Sequence, residues 1–141
     1  PPPWWLVHPC VLISGVGLAV LFRVPHRFVL WSVVGTHLAF WSSRLGADAV
    51  GPELGTALGA FVVCATGNLF ARLARAPSAV VIIPGILLLV PGSIGFQSLV
   101  MFFERDAISG VARAFDMIVI ASAVVLGLLT ANAAIPPRRS L

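Results

Sequence analysis

Two Pro-Gly pairs, Pro84-Gly85 and Pro91-Gly92, interrupt an otherwise apolar stretch at residues 80–101, VVIIPGILLLVPGSIGFQSLVM. No other feature restricts this chain as much. Proline removes a backbone donor and crowds the carbonyl four residues back, and glycine permits backbone angles that other residues avoid. The two pairs predict a broken or sharply kinked helix. The surrounding residues are apolar enough for lipid, where irregular backbone is tolerated only if protein buries it or a watery cavity solvates it.

Composition decides that the solvent is lipid. The chain has 141 residues, 59% hydrophobic and 10% charged, with a mean hydropathy of +1.03. Soluble domains are roughly 45–50% apolar and about 25% charged. The apolar runs do not alternate with polar residues, which excludes the strands of a membrane barrel. The expectation is an all-α integral membrane protein forming one transmembrane domain over residues 1–141. About five helices are expected, near 4–22, 28–45, 51–69, 79–103 and 114–134, the fourth being the one the Pro-Gly pairs break.

The charges fit that plan. All nine basic residues are arginines, and they lie in short turns between apolar runs, a pattern that sets orientation in a bilayer rather than binding nucleic acid. With the N-terminus outside, inner turns hold Arg23, Arg27, Arg72, Arg75, Arg138 and Arg139. Outer turns hold Arg44, Arg105 and Arg113 together with Asp48, Glu53, Glu104 and Asp106. A re-entrant hairpin at 79–103 would put Arg138 and Arg139 on the wrong side, so a full crossing is expected there. The Pro1-Pro2-Pro3 start carries neither an initiator Met nor the basic region of a signal peptide, as expected of a fragment or of the tail of a longer polypeptide.

Several motifs are missing from the sequence. There is no H-E-x-x-H, G-x-S-x-G or Walker pattern, and Cys10 and Cys64 lie in apolar runs without metal-ligand spacing. No cofactor, no metal and no enzymatic activity are expected. Gly51, Gly55 and Gly59 recur every four residues, two overlapping G-x-x-x-G units that allow helices to approach closely in lipid.

The broken segment offers the leading candidate site. In secondary transporters, discontinuous helices present unpaired N–H and C=O groups to substrate. A half-helix starting after Pro91-Gly92-Ser93 would offer N–H groups to a carboxylate. Ser93, Gln97 and Ser98 would add side-chain contacts, and carbonyls freed near Pro84-Gly85 would accept from an ammonium. A kink that serves packing alone is the competing account. Asp116 is either a proton carrier, since acids in membranes are costly, or an acid satisfied at the start of the last helix. His37 is either a proton carrier, titrating nearest neutral pH of all side chains, or a residue bonded to a neighbouring helix. Thr66 and Asn68 either line a pathway or bond across the glycine interface. Arg44 either attracts anions or snorkels to headgroups.

The run Ile83-Pro84-Gly85-Ile86 … Leu89-Val90-Pro91-Gly92-Ser93 resembles the threonine/serine exporter family, specifically its small integral-membrane half. The earlier Phe22-x-Val-Pro-x-Arg27, Trp31 and the order of apolar segments are similar to the same family, so the likeness covers nearly the whole chain. The resemblance implies export of small amino acids, notably threonine and serine, driven by the proton-motive force across a bacterial cytoplasmic membrane. It also implies a companion membrane domain or subunit, and dicarboxylate export in some members. A non-transporting assembly subunit, motivated by the glycine stripe, is the alternative.

Overall fold

A computed structural model describes residues 3–90, 92–104 and 106–137. Among these residues the regular structure is helical: α1 (Trp4–Leu21), α2 (Val29–Val50), α3 (Pro52–Ala74), α4 (Ala79–Leu89), α5 (Gly92–Phe103) and α6 (Ala107–Ala134), with a single 3-10 turn at His26–Phe28. Three of them, α1, α3 and α6, are long and apolar enough to cross a membrane. Large apolar side chains such as Trp4, Leu30, Phe103 and Ile108 point outward, as lipid allows and water would not.

α2 and α3 form the centre, and small residues set how closely they pack. They run antiparallel, with Gly46 on Gly55 and Gly59 against Ser43 and Ala39. A Cβ on Gly55 would collide with the Ala47 nitrogen and the Ser43 carbonyl, and one on Gly59 would lie 2.8 Å from the Ser43 Cβ. α4 enters the groove between them, Gly85 against Val63 and Gly35 against Val81. α1 lies antiparallel to α2 along the buried stripe Val7, Val11, Gly15 and Ala19. α6 runs parallel to α3, Gly127 seated on Ala57, Ala60 and Phe61.

The direction of α5 follows from its neighbours. Ser98 Oγ donates to the Gly110 carbonyl at 2.7 Å, Phe102 covers Gly110 and Gly95 faces Met117, so α5 is antiparallel to α6. α6 is parallel to α3, and α3 is antiparallel to α4 through the Val63–Gly85 and Gly67–Ile82 contacts. α4 and α5 therefore run the same way and form two halves of one leg, not a hairpin that turns back. At a rise of roughly 1.5 Å per residue they are ~16 Å and ~18 Å long, so neither alone spans a hydrocarbon core of about 30 Å. The fold has five legs of alternating direction.

Several boundaries differ from expectation. α2 continues through Arg44 and Asp48 to Val50, leaving Gly51 as the whole connection to α3. Gly51 has φ of +100°, and a Cβ there would meet only the Glu53 carboxylate at 3.5 Å. It is a turn residue, not the first rung of the packing stripe, and Gly46 takes that place. α6 begins at Ala107, so Arg113 belongs to a helix rather than a loop. Asp116 is well inside α6, and Asp106 is the residue that caps it. Arg23 and Arg75 end α1 and α3 at φ of +51°, a conformation that L-residues other than Asn and Asp seldom adopt. Those two turns lie at one end of the bundle with Pro136, whose carbonyl accepts from Arg72 at 2.6 Å. Arg105, Arg138 and Arg139 lie outside the described residues.

The largest difference concerns the first Pro-Gly pair. Pro84 is inside α4, which runs through it unbroken. Proline at position 84 denies the Val80 carbonyl its helical donor. Ser32 Oγ on α2, fully buried, donates to that carbonyl at 2.6 Å. The freed acceptor is therefore occupied and is not open to an ammonium group. Ser32→Ala should cost about 1–2 kcal/mol in detergent unfolding, because it leaves a buried carbonyl unpaired. In a Pro84→Ala background, where residue 84 regains its N–H, the same substitution should cost clearly less. Equal costs in both backgrounds would contradict this account.

Candidate functional site

The second pair marks the true interruption. α4 ends at Leu89, Val90 is extended (φ −61°, ψ 129°) and α5 begins at Gly92. Pro91 and the side chain of Ser93 lie outside the described residues. The Val90 N–H still bonds to the Ile86 carbonyl at 2.9 Å. One residue further on the pattern must fail: the helical donor for the Leu87 carbonyl would be residue 91, and proline has none. The end of α4 thus presents carbonyl groups and the negative end of a helix dipole.

Beside that end is a cleft of about 380 Å³, lined by Phe40, Ser43 and Arg44 of α2, Thr56 of α3, and Leu88 and Leu89 of α4. Its volume falls within the roughly 300–1,000 Å³ typical of small-molecule sites. Thr56 Oγ1 donates to the Pro52 carbonyl at 2.7 Å, which keeps its hydroxyl oxygen available as an acceptor. Arg44 is exposed at the cleft, and among the described residues no carboxylate lies within ion-pairing distance of it.

The other candidates have separate positions. Pro84 and Gly85 are buried between α2 and α3 and do not face the cleft. Gln97 is exposed on α5, while the Ser98 hydroxyl is held by Gly110 of α6. Asp116 has 56% of its side chain exposed and pairs with Arg113 at 4.0 Å, one turn away on the same helix. It lies about 16 Å along α6 from Gly127 at roughly 1.5 Å per residue, beyond the end of α3 rather than at mid-bundle. Asp106 accepts from the Ser109 N–H at 3.1 Å, and its bonds from the Ser109 side chain and backbone hold its carboxyl below the ordinary range. That capping contribution is present at neutral pH and is lost as pH falls through the lowered value.

His37 is half-buried near the middle of α2. Its Nδ1 lies 3.1 Å from the Val33 carbonyl, which can only accept, so Nδ1 is the donor of that bond. His8 of α1 stacks on it at 6.3 Å between centroids and lies 4.9 Å from the Trp41 ring. The sequence reading did not single out His8. Its signal was its place beside the Val7–Val11–Gly15 stripe in an otherwise apolar helix.

Thr66 bonds back to the Val62 carbonyl of its own helix at 2.7 Å. Asn68 is 1% exposed, and its Nδ2 donates to Asn132 Oδ1 at 2.8 Å and to the Ile135 carbonyl at 2.7 Å. Cys64 Sγ reaches the same Asn132 oxygen at 3.4 Å. This polar cluster joins α3 to the last turn of α6 and lies away from the cleft. Asn132, unremarked in the sequence, is its second member. Asn68→Ala should destabilise the chain by about 1 kcal/mol, within the range for interhelical bonds in membranes. It should also speed amide exchange in residues 131–135, and unchanged exchange there would contradict the assignment.

No curated protein and no solved structure matches the chain. A family model described as Threonine/Serine exporter, ThrE matches residues 9–134, which takes in every leg of the fold and both Pro-Gly pairs. By that match the chain belongs to the threonine/serine exporter family of membrane transporters.

Proposed function

We propose that this chain is one half of a secondary transporter that exports small amino acids such as threonine and serine, and that substrate passes the interruption between α4 and α5. One observation carries the reading: a leg of the bundle is divided near its middle, and the first half ends beside a cleft whose largely apolar wall holds three polar residues, Ser43, Arg44 and Thr56. Such an interruption leaves backbone groups that a zwitterion can satisfy as it moves. Gly92, Ser93 and Gln97 lead the second half of that leg, and their proposed role is to contact the substrate from its far side. Pro84-Gly85 keeps α4 tight against α2 and α3, so its role in transport is to hold the first half still.

The five legs correspond to five crossings of a bacterial cytoplasmic membrane, with the N-terminus outside and the Arg23–Arg27 and Arg72–Arg75 turns inside. Export is driven by the proton-motive force, with His37 as the leading proton carrier because it is half-buried near the middle of α2. Asp116, exposed and paired with Arg113, is the weaker candidate. An odd number of legs leaves no internal inverted repeat, which favours a companion membrane subunit or half.

The assembly-subunit alternative rested on the glycine stripe. Gly55 and Gly59 pack against α2 of the same chain, which removes its main motivation. Dicarboxylate export remains the alternative substrate class.

Proteoliposomes containing the chain with its companion half, loaded with labelled threonine, serine or succinate, test the reading. Threonine and serine efflux should follow the imposed gradient. Gly92→Leu should cut the rate about tenfold or more, because a branched side chain fills the interruption. The reading falls if no loaded compound leaves while the proteins are folded and inserted. It also falls if Gly92→Leu and Ser93→Ala are both without effect.

A further inference from the structure

We propose that Arg44 is the carboxylate-binding residue of the transport site, and that the open carbonyl groups at the end of α4 receive the ammonium group of the same substrate. This rests on the export reading above and adds to it a specific residue and a charge pattern.

Arg44 differs from the other described arginines. Arg23, Arg27 and Arg75 belong to the turns at the opposite end of the bundle. Arg72 lies in the last turn of α3 at that end and donates to the Pro136 carbonyl, and Arg113 is paired with Asp116. Arg44 lies within α2 rather than in a turn. Its nearest acid in sequence, Asp48, is one helical turn further on, and neither Asp48 nor Glu53 comes within 4.0 Å of it. Arg44 therefore lines the cleft with no carboxylate partner among the described residues. A planar guanidinium matches a carboxylate through two parallel hydrogen bonds.

The α4 end of the same cleft supplies the opposite charge preference. Leu88 and Leu89 are the last residues of α4. A helix C-terminus carries roughly half a negative charge, and the carbonyl of Leu87 lacks a helical donor because residue 91 is proline. The Thr56 hydroxyl, donating to Pro52, offers a further acceptor. A guanidinium and a partly negative helix end lining one cleft are complementary to an α-amino acid zwitterion. A dicarboxylate would place its second negative charge against the α4 carbonyls. The cleft thus discriminates between the two substrate classes by charge placement rather than by size.

A guanidinium near a membrane surface also suits an anionic lipid headgroup, so the test must separate the two anions. Binding of labelled L-threonine to the purified full chain would be measured in nanodiscs of neutral and of anionic lipid. L-Serine, succinate and L-threoninol, which has a hydroxymethyl group in place of the carboxylate, would serve as competitors. Serine should compete, whereas threoninol and succinate should compete at least tenfold less well. Arg44→Gln should weaken threonine binding about tenfold or more, the scale of one charge-assisted contact, and Arg44→Lys should recover part of the loss.

The wild-type competition series needs no variant and so stands even if Arg44→Gln folds poorly. Arg44→Gln binding threonine as wild type does would overturn the proposal, and loss of co-purifying anionic lipid alone would assign Arg44 to the headgroup instead. Succinate displacing threonine efficiently would overturn the charge pattern. A wild-type chain that binds none of these compounds, while the pair still exports threonine, refutes the proposal and leaves the export reading standing. If export is absent too, both fall.

Discussion

Backbone polar groups cannot be left without partners in hydrocarbon, and this constraint governs the whole structure. The chain meets it twice at the same dipeptide with opposite results. At Pro84-Gly85 the carbonyl that proline frees is covered by Ser32 from a neighbouring helix, so α4 continues unbroken. At Pro91-Gly92 the helix stops, and its last residues, Leu88 and Leu89, line a cleft. One pair is closed by packing and the other ends a helix at a cleft. The proposed transport site rests on that contrast.

The closed pair depends on close helix approach, and small residues make the approach possible. Gly35, Gly46, Gly55, Gly59, Gly85 and Gly127 each bring a helix onto backbone or onto a neighbouring side chain where a Cβ would clash. In lipid no hydrophobic force draws helices together, so this contact and a few polar bonds must suffice. The Asn68–Asn132 bond fastens α6 to α3 at one end, and Ser98–Gly110 fastens α5 to α6 at the other. α5 is therefore held by α6, whereas α4 is held by α2 and α3. The two halves of the broken leg are anchored to different partners, an arrangement in which one half can shift without dismantling the other.

The fold class was legible because composition and run lengths depend on no distant contact. The ends of helices were less so. Asp48 and Glu53 read as loop residues, yet a single Gly51 with positive φ makes the turn, and helix ends tolerate exposed charge. Arg113 and Asp116 also read as loop or helix start, whereas their spacing places them together on one face of α6. The two Pro-Gly pairs were indistinguishable in sequence. What separates them is a hydroxyl 48 residues away, which no local pattern contains. For the same reason the cleft lined by Arg44 was not legible: it is assembled from three helices. His8 and Asn132 went unnoticed because a lone polar residue in an apolar helix gains meaning only from the partner opposite it.

The central claim is that the interruption after α4 is reached by water and by substrate. It can be tested directly by placing single cysteines at positions 88–97 in a Cys10→Ala, Cys64→Ser background and labelling each with a membrane-impermeant maleimide. The account expects reaction at the positions flanking the break, slowed when L-threonine is present, and little reaction at two further single cysteines placed within α4 at Ile82 and Ile86. Uniform resistance to labelling across the break, or labelling indifferent to threonine, would contradict it.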